Sequence, residues 1–278
     1  SVWTACSSSV SEPQSATPLD QVPDIFPDYV DVTIPSEIAP LRFMLRHAPE
    51  EAMVSISAGE EKLVCKASGK KGFLMDEDQW NDLLEAAVGK ELEVKVYEKV
   101  DGNWQMYLPF HWTVSSDAMD PYLVYRLIEP GYETWNQMGI YQRRLADYEQ
   151  TAVISNQLTS HNCINCHNFP NQDPTQMVLH MRGQRGGTYL FQSGDITKLN
   201  GKVSDKIPSL VYPSWHPSGD FIAFSTNQTR QAFHFNDENR IEVMDYSSDV
   251  LLYDVKNNEV MTVRPLFSDK AFETFPHF

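Results

Sequence analysis

"SHNCINCHNFPNQDPTQMVLHMRGQRGG", residues 160–187, holds two of the chain's four cysteines, three of its eight histidines and a run of methionine and aliphatic residues. Its second half decides how the middle of the chain folds. Asp173 suits an N-cap, and Pro174 suits the first helical position, where no backbone N–H is needed. Gln176 stands three residues after that cap, a capping-box-like spacing, and Gly183 supplies a stop. The spacing therefore predicts a short helix with Met177, His180 and Met181 at i, i+3 and i+4 on one face.

Upstream, "GYETWNQMGIYQRRLADYEQTAVISNQ" (131–157) offers Trp135, Met138, Ile140 and Leu145 as buried positions and is expected to be a linking helix. Before it the pattern has period two. "YVDVTIP" (29–35), "LRFMLR" (41–46), "AMVSISA" (52–58), "ELEVKVYEKV" (91–100) and "WQMYLPFHWTV" (104–114) each predict a strand. Asp101-Gly102 marks a hairpin, since glycine accepts the positive φ of a tight turn. One helix interrupts these strands at "DEDQWNDLLEAAVGK" (76–90), where Trp80, Leu83, Leu84 and Ala87 fall on one face. Downstream, "GGTYLFQSGDITKLN" (186–200) returns to strands around Ser193-Gly194-Asp195. Further strands are expected in 209–228 and 249–263, the latter around Asn257-Asn258.

The composition narrows the function. With 278 residues and 41% hydrophobic content the chain buries a real core. Its net charge of -16 opposes binding to a phosphate backbone, so nucleic acid is not an expected partner. There is no run of about 18 apolar residues, the length a spanning helix needs. No G-x-S-x-G, P-loop or H-E-x-x-H motif occurs, "RGQRGG" (182–187) reads as a loop, and an enzyme is not the expected class. Cys65 lies in the alternating "EKLVCKAS" and is expected to pack as a small hydrophobe.

Cys163-Ile164-Asn165-Cys166-His167 matches C-x-x-C-H, the attachment motif of haem c. Two thiols at this spacing each add to one vinyl group, and the adjacent imidazole becomes the iron's proximal ligand. One covalent haem c is expected on Cys163, Cys166 and His167, with Met177, His180 or Met181 as sixth ligand. A zinc site would want a second cysteine pair, which the chain lacks. A thioredoxin-like dithiol would follow a buried strand, and "NQLTSHN" (156–162) does not read as one.

In this motif the chain resembles the c-type cytochromes. Residues 209–263, with "WHPSGD" and "FIAFST", resemble one blade of the TolB-like, WD-repeat-like β-propellers, although His216 and Ser218 depart from that pattern. The opening "SVWTACSSSVSEPQ" resembles the tail of a bacterial lipoprotein signal, with Cys6 as the lipidated residue.

Together these resemblances imply a mainly β chain with minor α. Residues 1–27 would be a signal remnant and tether, 28–130 a β-sandwich-like domain, 131–200 a helical linker and short helical haem c segment, and 201–278 the start of a truncated propeller. The implied protein is a cell-envelope lipoprotein of the periplasm or outer membrane, held to the membrane by lipid alone. It would transfer electrons or sense redox state through its haem, with an envelope or redox protein as partner. The alternative is a propeller-based binding or scaffold protein in which the haem is structural or absent.

Overall fold

The computed structural model describes residues 10–128, 137–238 and 241–278, so Cys6 and Trp135 lie outside the described residues. The chain is mainly β, with one α-helix among the described residues. It divides into two compact units, one of residues up to Leu123 with Arg143–Gln150, the other of Val124–Gln142 with Thr151–Phe278.

The first unit contains β1 (Thr17–Pro18), β2 (Ile25–Phe26), β3 (Val32–Ile34), β4 (Met44–Leu45), β5 (Glu51–Ala58), β6 (Glu61–Lys66), helix α1 (Glu77–Ala87), β7 (Glu91–Val100), β8 (Asn103–Met106) and β9 (Phe110–Val114). Seven strands form one sheet in the order β1-β8-β7-β5-β6, with β9 joining β7 and β3 joining β9, while β2 and β4 pair separately. Only the β-rich part of the sandwich-like expectation is shown here. Val54 and Ile56 of β5 face Leu92, Val94 and Val96 of β7, all fully buried, because alternate residues of a strand share a face. Trp80, Leu83, Leu84 and Ala87 of α1 complete that core. Trp112 packs edge-on against Phe43, Trp80 and Phe110, and its indole N–H donates to the Tyr29 carbonyl at 2.6 Å.

Helix α1 begins where the sequence places it, since the Asp76 carboxylate accepts from the Gln79 N–H at 3.1 Å. Asp76→Ala is expected to cost about 1 kcal/mol in a urea unfolding titration. Cys65 on β6 packs against this core, and burial pushes its thiol up to about 12.

Three strands, β10 (Tyr122–Ile128), β11 (Met138–Arg144) and β12 (Gln150–Ser155), form a sheet in that order. The linking helix expected over 131–157 is therefore not formed among the described residues. Met138 and Ile140 are buried from a strand, with Gly139 packed against the Ile154 carbonyl.

The rest of the second unit is two four-stranded antiparallel meanders. One runs β13 (Cys163–Asn168), β14 (Gln176–Arg182), β15 (Gly187–Gln192), β16 (Asp195–Lys198). The other runs β17 (Val211–Trp215), β18 (Phe221–Phe233), β19 (Ile241–Asp254), β20 (Glu259–Thr262). They do not close into a propeller among the described residues, which corrects that expectation.

The expected helix over 173–183 is instead β14. Its neighbours are β13 and β15, with Leu179 opposite Tyr189 and Met181 opposite both Ile164 and Gly187. Met177, Leu179 and Met181 point into one apolar cluster with Ile140 and Ile164. Val178 points into another with Leu210, Trp215 and Phe224. Because both faces are covered, the five residues 177–181 are all buried. The signals read as a helix cap serve a turn: Asp173 accepts from the N–H and hydroxyl of Thr175 at 2.9 and 2.7 Å.

Candidate functional site

Strand β13 carries both cysteines, and it is not regular. Asn165 is in register with His180 and Asn168 with Val178, so three steps on β13 match two on β14. That is a β-bulge, with Cys166 at a positive φ of 52°. In an unbroken strand residues three apart point to opposite faces. Here Cys163, in register with Arg182, lies on the Arg182 and His180 side, and Cys166 turns its thiol to accept the Tyr212 backbone N–H of β17. The bulge thus brings both thiols to the side that faces residues 210–212.

The environment of the pair is mixed. Burial pushes both thiols up, and the guanidiniums of Arg182 and Arg126 pull both down. Each positive charge favours thiolate, while desolvation favours thiol. The Cys163 and Cys166 thiols also lie close enough for the charge of one to raise the other. No disulfide joins them, and both are free thiols. Tyr212 completes the cluster: burial, and then the neighbouring Cys166, push its hydroxyl up.

His167 is half-buried and lies edge-on to Phe169, with ring centroids 6.1 Å apart. Burial lowers its pKa, and a hydrogen bond to the Val124 backbone partly offsets that. His180 is buried, and its Nδ1 lies 3.0 Å from the Thr188 hydroxyl, which donates to the Leu210 carbonyl at 2.6 Å. Desolvation pushes its pKa down to about 4, with Arg182 acting in the same direction and the Leu210 carbonyl against it. His180 is therefore neutral at neutral pH.

Strand geometry separates the residues expected to hold the haem. The proposed sixth ligands do not share a face, because a strand alternates where a helix would group them: Met177 and Met181 pack in an apolar cluster and His180 points to the other side. His167 is tied to the β10 backbone and Cys163 is only 8% exposed. Among the described residues no three His, Cys, Asp or Glu side chains stand close enough to hold a metal ion. As placed, these residues do not fit a haem, and the resemblance to c-type cytochromes is corrected accordingly.

Sequence reading found the two cysteines and His167 but missed Arg126, Arg182 and Tyr212. Arg182 becomes a neighbour of Cys163 only through the β13–β14 register, and Tyr212 only through the packing of β17 on β13. Of the remaining histidines, His47 lies 2.6 Å from a Glu98 oxygen, His216 2.9 Å from the Ser218 hydroxyl and His234 3.1 Å from a Glu242 oxygen. No described helix is long and apolar enough to cross a membrane.

No protein-family model matches the chain, and no curated protein matches it. A solved structure, from work on host cell surface retention of a 1.5-MDa bacterial ice-binding adhesin, aligns with 86% of this chain and 93% of that one. The identity is 10% and the TM-score 0.25, a likeness too slight to carry an argument.

Proposed function

We propose that this chain is a redox-responsive β protein whose working group is the Cys163–Cys166 dithiol. The observation that carries the reading is the bulge between Asn165 and Asn168, which turns two thiols of one strand to the same side beside two guanidiniums. A dithiol there senses or passes on two electrons without a metal. The S–H bonds of Cys163 and Cys166 break, one S–S bond forms between them, and two protons and two electrons reduce a partner disulfide to two thiols. Arg182 and Arg126 favour the thiolate that attacks first. The lipoprotein-like sequence around Cys6 supports a cell-envelope location, where disulfide partners are available.

The test uses oxidised glutathione and intact-mass measurement on the folded chain. Wild type is expected to lose two hydrogens and release glutathione. Cys163→Ser and Cys166→Ser are each expected to stop at a mixed disulfide with one glutathione on the remaining thiol of the pair. Because burial raises both thiols, the reaction quickens as pH rises, and Arg182→Ala slows it at fixed pH. Covalent haem on the two sulfurs of the matured protein, or thiols inert to the disulfide, would overturn the reading.

A further inference from the structure

We propose that the far end of the β18–β19 hairpin is an arm that takes up an extended, lysine- or arginine-bearing segment of another protein as an added strand along the outer edge of β19. Strand β17 pairs with β18 over 222–225, and β20 pairs with β19 over 251–254. Beyond both, β18 and β19 continue together as a two-stranded ribbon as far as the Phe233–Ile241 pair. The base of the ribbon is covered, since Val250 N–H donates to the Leu266 carbonyl and Glu273 N–H to the Ser248 carbonyl. Past Ser248, no strand lies along the outer edge of β19 among the described residues.

This edge lacks the usual protection. Residues 241–247, Ile-Glu-Val-Met-Asp-Tyr-Ser, contain neither the lysine nor the proline that ordinarily blunts an exposed edge. Ile241 and Val243 share one face of the ribbon and are 40% and 56% exposed, while Met244 on the other face is 55% exposed. A bulge leaves Tyr246 without an opposite residue on β18 and ends the regular stretch. A two-stranded ribbon is marginal in water, and a third strand supplies the ladder and the apolar cover it lacks.

Charge selects the occupant. Within 226–249 five carboxylates stand against two guanidiniums, and Glu242 and Asp245 lie on the open edge itself. The net charge of -16 sets one copy of the chain against another, which disfavours a second copy. Residues 236–240, Asn-Asp-Glu-Asn-Arg, are wholly polar, which disfavours a lipid surface. A strand from a basic partner fits both the backbone and the charge. Main-chain bonds to the edge supply affinity, apolar side chains meet Ile241 and Val243, and a cation meets Glu242, whose side chain is half-exposed beside His234.

Fluorescence anisotropy on the full chain, with a fluorescein-labelled peptide of four Lys-Val repeats and with its Glu-Val counterpart, tests the arm. The lysine peptide is expected to bind saturably, one per chain, and the glutamate peptide about tenfold or more weakly, since like charges then face each other. Val243→Asp and Glu242→Lys are each expected to weaken binding of the lysine peptide by about tenfold or more, the first by placing a charge where the strand packs and the second by repulsion. Both side chains are exposed, so the core is unaffected. Glu61→Lys, an equal change of charge at the exposed start of β6, is expected to leave binding unchanged. Equal binding of the two peptides, equal weakening by Glu61→Lys, or a dimer in sedimentation velocity that Val243→Asp dissolves, would overturn the proposal. Glu242 and Val243 are not among the groups acting on either thiol, so the outcome is independent of the dithiol chemistry.

Discussion

Leu179→Ala is expected to destabilise the second unit by about 3 kcal/mol, the ordinary cost of truncating a fully buried leucine whose site cannot collapse. The size of that loss discriminates between two folds of the same residues. On a helix with Met177, His180 and Met181 inward, position 179 turns away from that face and truncation there costs a few tenths of a kcal/mol. On β14 it stands between Met177 and Met181, packed with Ile140 and Ile164. A urea unfolding titration with a midpoint shift and an unchanged slope reads the difference. A loss below about 0.5 kcal/mol would contradict the strand.

Acid is expected to act on the same element through His180. Its unfolded pKa is the ordinary 6.5 and its folded one about 4, so between those values the unfolded chain binds the extra proton. The stabilisation is complete above the unfolded value and drains away as pH falls towards the folded one. The groups facing the ring are the Thr188 hydroxyl, the Leu210 carbonyl and Arg182; none is an anion able to stabilise a buried imidazolium. Between about pH 7.5 and pH 4.5 this amounts to about 2.5 kcal/mol. His180→Gln removes the titrating group, so its unfolding free energy should fall less over that interval by about that amount. Parallel pH profiles for the two proteins would show that His180 titrates normally in the fold.

What the sequence disclosed follows from how many faces of each element are covered. Strand β7 alternates in sequence and burial, with Leu92, Val94 and Val96 inward, and helix α1 shows its cap and its apolar stripe. Strand β14 has apolar cover on both sides, so its residues lose the period-two signature, and a short continuous apolar run does not distinguish strand from helix. Asp173, Pro174 and Gln176 then suggested a cap. In the fold Asp173 closes a turn on Thr175, and Gln176 accepts from the Gln192 amide across the β14–β15 ladder at 3.1 Å. The cysteine pair was visible from spacing alone. Its sidedness was not, because one extra residue in β13 reverses which face Cys166 meets, and no composition rule places that bulge.

An equilibrium redox titration in glutathione buffers, followed by alkylation and peptide mass mapping, tests the dithiol most directly. The thiols of Cys163 and Cys166 are predicted to disappear together in one two-electron transition, while Cys65, half-buried against the core of the first unit and with its thiol pushed up to about 12, stays reduced throughout. Arg182→Ala should shift the midpoint of that transition and leave Cys65 unaffected. Thiols 163 and 166 that titrate separately, or remain alkylatable at every potential, would contradict a dithiol formed by the bulge.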